Sequence, residues 1–549
     1  MENKKSQPEN SVTQLIELII SGMAQSLKII VGFLLTILKN KNFKSLKFLF
    51  DLDLFVQFGL IKRSDNRITV ADLKSKKKAK ANLEDRIKIS NETPLGISLT
   101  SGEVVFLKQN EINQHVLVAG ATGEGKTTLM TTMIRHAMIH NRPIIIIDPK
   151  GDMNDVEKIR QLSEISGRGD KFKLFTLSFP ESSISYNILK VGTPEQLKSK
   201  LVEALDLEHE FYGAIAAQYL GLLFDILDFL DLRKDLNLSI LYKFLTSPNE
   251  LGKIENRIRE LARSEETIDV ISKMQSLKSI ERKHLEGLIA QISSLCLNEF
   301  KGIISGNRKN EAGLDIISAL NNKEIIYFQL SLGAYGDVGK RFGKLVIQDL
   351  KLVTSLIQAG RVTKEFDFGV CFIDEAGSFL CKSFAELLKT IRSIGIGLNI
   401  FFQSIADLRT ISPEFAEQIM GNTKVKIILR QDNTTDVETW SAMAGTIDSV
   451  IMSHQTNESG IVESKTGMGN MHEGKKMKVD FDVFKSLPVG QAVVINKGRH
   501  TCDLISIWQQ DVTKINSMRP IILEKPNLFG EIKPGTSSKY KIYFDQSYL

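Results

Sequence analysis

Only four cysteines occur in the 549 residues, Cys296, Cys371, Cys381 and Cys502, and none forms a CxxC pair or lies in a His-rich cluster. This excludes a disulfide framework and a zinc ribbon, and it fits a reducing cytoplasm, with Cys371 expected to be buried. Proline is also scarce. Between Pro194 and Pro413 only Pro248 occurs, and glycine is sparse from Glu195 to Lys301. Little in that stretch breaks a helix. No internal repeat is present, which sets aside solenoids and propellers. The sequence carries no cleavable signal-peptide pattern and no base-reading motif. A net charge of +6 and a pI near 8.8 are too mild to indicate a nucleic-acid partner on their own.

What is present begins with GATGEGKTT, Gly120 to Thr128. A short apolar run, His115 to Val118, precedes it, and helical periodicity follows from Thr127. That strand–loop–helix context is what a phosphate loop requires. The backbone of Gly120, Ala121, Thr122, Gly123, Glu124 and Gly125 is expected to curl its N–H groups around phosphate oxygens, with Thr128 in the first helical turn. The helix adds its positive end. Lys126 is expected to reach the β- and γ-phosphates of ATP and Thr127 to ligate Mg²⁺. The next run, IIIIDPKGD (Ile144 to Asp152), reads as a strand buried on both faces. Asp148, a candidate cofactor contact, stands with Lys150 and Asp152 where that strand leaves the sheet, the ligand-binding edge of an open α/β fold.

FGVCFID, Phe368 to Asp374, is a second buried strand that ends in acid. Asp374 is expected on the Mg²⁺ side, and Glu375 as the base that orients the attacking water. Two adjacent carboxylates repel unless a cation lies nearby. A third strand, NIFFQS (Asn399 to Ser404), would place Gln403 beside the γ-phosphate. Arg392 lies between these two strands, and its guanidinium could reach a neighbouring subunit's site.

IIIIDPKGD, VCFIDEAGSF, the turn from Arg392 to Gly395, NIFFQSIADL and the segment from Gly421 to Gly445 together resemble the type IV coupling proteins. These are the conjugative DNA-transfer ATPases of bacterial type IV secretion systems. The resemblance covers roughly Leu95 to Lys497. It implies a RecA-like homo-hexameric ring that uses ATP to move single-stranded DNA, with its bound relaxase, toward components of a secretion channel. It also implies that Arg392 is an arginine finger acting in trans.

The expected fold class is α/β. A RecA-like P-loop domain spans 91–194 and 302–515, and helical patterns over 195–301 read as an all-α insertion. Family members carry an all-α domain at this place. The polar stretch after Gly445 reads as a flexible loop or a long hairpin, and 516–549 as an extended tail. Residues 1–90 are expected to be an N-terminal helical segment, membrane-associated or docking, with a basic linker. In Leu15 to Leu38 the residues Glu17, Ser21, Gln25, Lys28, Gly32, Thr36 and Lys39 share one helical stripe. That pattern suits a membrane-contacting helix or one docked on protein, and Lys28 penalises a lone spanning helix by about 3 kcal/mol. Family members begin with two spanning helices, and this chain departs from that. Met1 to Ser90 holds 17 Lys/Arg against 9 Asp/Glu, where the whole chain holds 71 against 65. The basic excess therefore precedes the ATPase domain, where it could meet an anionic membrane surface or DNA phosphate.

The leading expectation is a DNA-transfer coupling ATPase on the cytoplasmic face of the bacterial inner membrane. A soluble cytoplasmic translocase of the FtsK/HerA type is the first alternative. A receptor that delivers protein effectors to a secretion channel is the second.

Overall fold

The computed structural model describes residues 92–508, apart from 206, 208–210, 297, 305–306, 309–310 and 458–463. The amphipathic N-terminal segment, its lysine run and the tail from 516 lie outside the described residues. In chain order the strands are β1 (Glu92–Ser98), β2 (Val104–Lys108), β3 (Val116–Ala119), β4 (Ile144–Asp148), β5 (Phe172–Thr176), the short pair β6 (Asn307–Arg308) and β7 (Glu311–Ala312), β8 (Ile325–Gln329), β9 (Gly369–Ile373), β10 (Ile396–Phe402), β11 (Val425–Ile428), β12 (Thr446–Asn457), β13 (Ser464–Met477), β14 (Gln491–Asn496) and β15 (Thr501–Ile507).

Eleven of these form one sheet in the order β2-β1-β15-β14-β11-β3-β10-β9-β4-β8-β5. The strands from β11 to β5 all run parallel. β14, β15, β1 and β2 extend the sheet antiparallel. The parallel strands read as unbroken apolar runs because both their faces are covered. Alternate side chains go to opposite layers: Leu117, Ile145, Ile147, Cys371 and Ile373 pack in one core. Val116, Val118, Ile144, Ile146, Val370 and Phe372 pack in the other, against helices α1 (Lys126–Ile139) and α2 (Met153–Ile165). This period of two is what pleated geometry dictates.

Between β5 and β8 the sequence supplies helices: α3 (Pro194–Ala204), α4 (Tyr212–Phe229), α5 (Leu238–Thr246), α6 (Pro248–Arg259), α7 (Glu265–Ser279) and α8 (Glu286–Cys296). Thr193 and Gln196 form a capping box on α3, and Asn237 and Ser264 cap α5 and α7. After β8 comes α9 (Leu332–Gln358), which breaks at Gly336, where φ is 43° and ψ is −115°. The polar stretch after Gly445 is a long hairpin, β12 paired antiparallel with β13. No helix among the described residues is long and apolar enough to cross a membrane.

A buried polar clasp ties the first helix of this block to α9. Lys200 on α3 donates to the Asp349 carboxylate of α9 and, at 2.6 Å, to the Ile188 carbonyl. The Tyr186 hydroxyl donates to the other Asp349 oxygen. Burial and the neighbouring Asp349 carboxylate push the Tyr186 hydroxyl well above its ordinary range, so it remains the donor. Removing one partner strands a charge. Lys200→Ala is expected to destabilise the fold by about 3–5 kcal/mol, read as a lowered urea midpoint. A loss below about 1 kcal/mol, the range of an exposed pair, would show that the clasp is solvated.

Candidate nucleotide site

The site gathers at the carboxyl ends of β3, β4, β9 and β10. β3 ends at Ala119, and the glycine loop follows. Gly123 and Gly125 hold φ of 83° and 109°, backbone that L side chains rarely adopt. α1 starts directly after Gly125 with no side-chain cap, so its first N–H groups are free to face an anion. The Gly120 N–H donates to Phe402 O at 3.3 Å and the Ala121 N–H to Arg430 O at 3.1 Å. Those two groups anchor the loop to its neighbours. Thr122 and Gly123 form the exposed crest, and Thr127 and Thr128 lie half-buried in the first turn of α1.

Lys126 is buried. Its ammonium donates to Gly120 O at 2.6 Å and to Ala121 O at 3.1 Å, so it arches back over its own loop. Burial pulls its pKa down, and the charges of Glu375 and Asp374 partly restore it. Asp374 follows β9, and its N–H donates to Ile147 O at 3.0 Å. The cation that the carboxylate pair requires is Lys150. Its Nζ lies 2.7 Å from Asp374 Oδ2 and 3.5 Å from Glu375 Oε1. Burial alone would lower the Lys150 pKa, but Asp374 and Glu375 outweigh it and raise it. Asp148 turns inward, accepting from the Tyr327 hydroxyl at 2.7 Å and from the Lys150 N–H at 2.8 Å. Burial pushes its carboxyl up to about 6, and the Asp374 charge adds to this. Asp148 thus shapes the turn that presents Lys150.

Glu375 sits at φ 43°, ψ 45°, a left-handed conformation uncommon for a non-glycine residue. Gln403, just past β10, donates its amide N–H groups to both Glu375 oxygens at 3.1 and 3.0 Å. The backbone of Gln403 is itself fixed. Asp407 accepts from the N–H of Gln403 and Ser404, and the fully buried Asp436 accepts from the Ser404 hydroxyl and the Ile405 N–H. Lys126, Asp374, Glu375 and Gln403 therefore converge. Arg392 does not join them. It is exposed at the end of α10 (Phe384–Ile391), beyond the opposite end of β10, and its guanidinium has no partner among the described residues.

Several residues of the site were not evident as such from the sequence. Lys150 carried a signal, its place in DPKGD. Asp407 carried another, the Ser404–x–x–Asp407 capping box. Arg430, which pairs at 2.7 Å with the buried carboxylate of Glu124 in the loop, carried none. The same holds for Gly490, whose N–H donates to Glu124 O at 3.1 Å. Both depend on long-range approach of the β11 and β14 ends. The described residues contain no group of three or more His, Cys, Asp or Glu able to hold a metal alone. One carboxylate and one hydroxyl beside substrate phosphates is nonetheless a donor set that suits Mg²⁺.

Two family models match the chain. The TraM recognition site of TraD and TraG matches residues 370–480, which hold Asp374, Glu375, Arg392 and Gln403. The central domain of the helicase HerA matches residues 95–332, which hold the glycine loop. The type 4 coupling protein DotL of Legionella pneumophila is 21% identical over 477 residues, covering 74% of this chain. This chain spans only about three fifths of the length of that relative, 59%. Among solved structures, the conjugative coupling protein TrwBdeltaN70 superposes with a TM-score of 0.53 at 15% identity, over 78% of this chain and 91% of that one. The plasmid coupling protein TrwB in complex with ADP and Mg²⁺ gives a TM-score of 0.50 at 17% identity, over 78% and 92%. The family models, the curated relative and the shared fold together place the chain among the relatives of the type IV coupling proteins.

Proposed function

We propose that the chain is an ATP-hydrolysing coupling protein that brings single-stranded DNA, with its relaxase, to a type IV secretion channel. The observation that carries the reading is the convergence of Lys126, Asp374, Glu375 and Gln403 at one sheet edge, with a fold shared with coupling proteins of known structure. Lys126 would exchange its bonds to Gly120 O and Ala121 O for phosphate oxygens. Thr127 and Asp374 would hold Mg²⁺, which when bound neutralises charge on the phosphates. Glu375 would take the proton of the attacking water. Gln403, with its N–H bound to Asp407 and the two residues after it held by Asp436, would fix the direction of the Glu375 carboxylate. Arg392 lies too far from its own loop to serve it, and its exposure suits a finger given to the next subunit of a hexamer. The division into an ATPase domain over 91–194 and 302–515 and a helical insertion over 195–301 belongs to the same proposal, as does an N-terminal segment that meets the cytoplasmic face of the inner membrane.

One observation favours a second reading, delivery of protein cargo. Residues 195–301 carry 14 Lys/Arg against 18 Asp/Glu. A surface of that balance does not attract a polyanion. The helical block therefore suits the protein part of the cargo better than the DNA strand, which a basic channel lining would have to hold.

The test is ATP turnover of the assembled protein with and without single-stranded oligonucleotide, across a salt series. Stimulation that falls steeply with salt is expected, because released counterions dominate phosphate binding. Lys126→Ala should abolish turnover at every salt. A rate indifferent to DNA in a competent assembly would favour the protein-cargo reading.

Lys150 yields a separate prediction. It occupies the Asp374 carboxylate and so competes with a divalent cation for it. In Lys150→Met, millimolar MgCl₂ alone should raise the melting temperature by more than it does in the parent. Equal shifts would place the cation elsewhere.

A further inference from the structure

The turn that starts β3 grips the turn that carries Arg392. His115, immediately before β3, is buried, and both of its ring nitrogens are engaged. The Leu398 backbone N–H of β10 donates to Nδ1 at 3.1 Å, so Nδ1 must be the acceptor. Nε2 then carries the hydrogen and donates to Leu388 O, in the last turns of α10, at 2.7 Å. Two residues earlier, the Asn113 side-chain amide donates to Arg392 O at 3.1 Å. The backbone locks the same turn from the other side, where the Lys424 N–H donates to Gln114 O and His115 O at 2.9 and 3.1 Å. Burial lowers the His115 pKa to about 4 against a partial lift from the Leu388 carbonyl, and the nearby Arg392 charge lowers it further, so the ring stays neutral through the physiological range.

Both strands that meet at this clamp end in the nucleotide site. β3 runs from His115 to the glycine loop, about 16 Å at ~3.3 Å per residue. β10 runs from the Arg392 turn to Gln403. A single neutral imidazole thus bonds the last turn before Arg392 to the near ends of the two strands whose far ends lead into the glycine loop and Gln403.

We infer that His115 is a positioning residue for Arg392, and that Asn113 and His115 set where the arginine stands relative to the chain's own nucleotide loop. This rests on the reading of Arg392 as a finger that acts on a neighbouring subunit. In that case β3 and β10 are struts that couple one subunit's nucleotide site to the next.

The test is a complementation series in the full-length assembled protein. His115→Phe keeps the ring volume and removes both hydrogen bonds. It should lower kcat by at least about 10-fold, since misplacing a catalytic group by ~1 Å can cost ~100-fold, while KM for ATP stays within about 2-fold of the parent. Added to Arg392→Ala it should lower kcat no further. In mixed assemblies, His115→Phe subunits should regain turnover with Lys126→Ala subunits, which supply an intact arginine turn. They should not regain it with Arg392→Ala subunits. The opposite pattern, recovery with Arg392→Ala and none with Lys126→Ala, would overturn the inference and assign His115 to its own loop. The parent mixture of Arg392→Ala with Lys126→Ala separates the two ideas: no recovery there, in assemblies shown by mass to be mixed, defeats the finger reading itself. If His115→Phe fails to fold, Asn113→Ala enters the same series, because it removes only the bond to Arg392 O and leaves the ring in place. A kcat for Asn113→Ala equal to the parent's would then overturn the inference.

Discussion

Two carboxylates on adjacent residues at the end of a buried strand repel each other, and Asp374 and Glu375 are such a pair. The structure meets that constraint with Lys150, brought from the neighbouring strand end. Much else follows from this need. Asp148 is held inward by Tyr327 so that the turn after β4 presents Lys150. Glu375 takes a strained left-handed backbone that aims its side chain at Gln403. The free energy for that strain comes from the packing of β9 and β10, whose residues are almost all fully buried.

The parallel sheet serves as a rigid frame rather than as a surface. Its carboxyl edge collects the loop, the carboxylates and Gln403. Its amino edge holds the Arg392 turn, fastened by Asn113 and His115. The two edges lie a strand length apart, which separates Arg392 from the chain's own glycine loop. Under the proposed function that separation suits an arginine offered to a neighbouring copy.

Much of this was legible in the sequence because it is local. The isoleucine run of β4, the FGVCFID run of β9 and the glycine loop each announce a strand end by composition alone. The helices between β5 and β8 were legible from periodicity and from the shortage of proline and glycine. The antiparallel strands β1, β2 and β15 were not: β1, ETPLGIS, lies between β2 and β15 and is buried nearly throughout, so it shows no alternation, and its proline and glycine read as turn signals. Arg430 and Gly490 were not legible either. Their contact with the loop is created by pairing β11 with β14, whose residues lie far apart in sequence. Lys150 stands between these cases. Its motif was visible, and its partner 224 residues away was not.

Glu375, held by Gln403 and balanced by Lys150, is the proposed base of an ATP-hydrolysing site. The most direct measurement is single-turnover hydrolysis by Glu375→Gln alongside equilibrium ATP binding. The substitution keeps the side-chain shape and removes the proton acceptor. The ATP affinity is expected to stay close to the parent's and the chemical step to slow by about 10²–10⁴-fold. A normal single-turnover rate per bound ATP would contradict that role for Glu375.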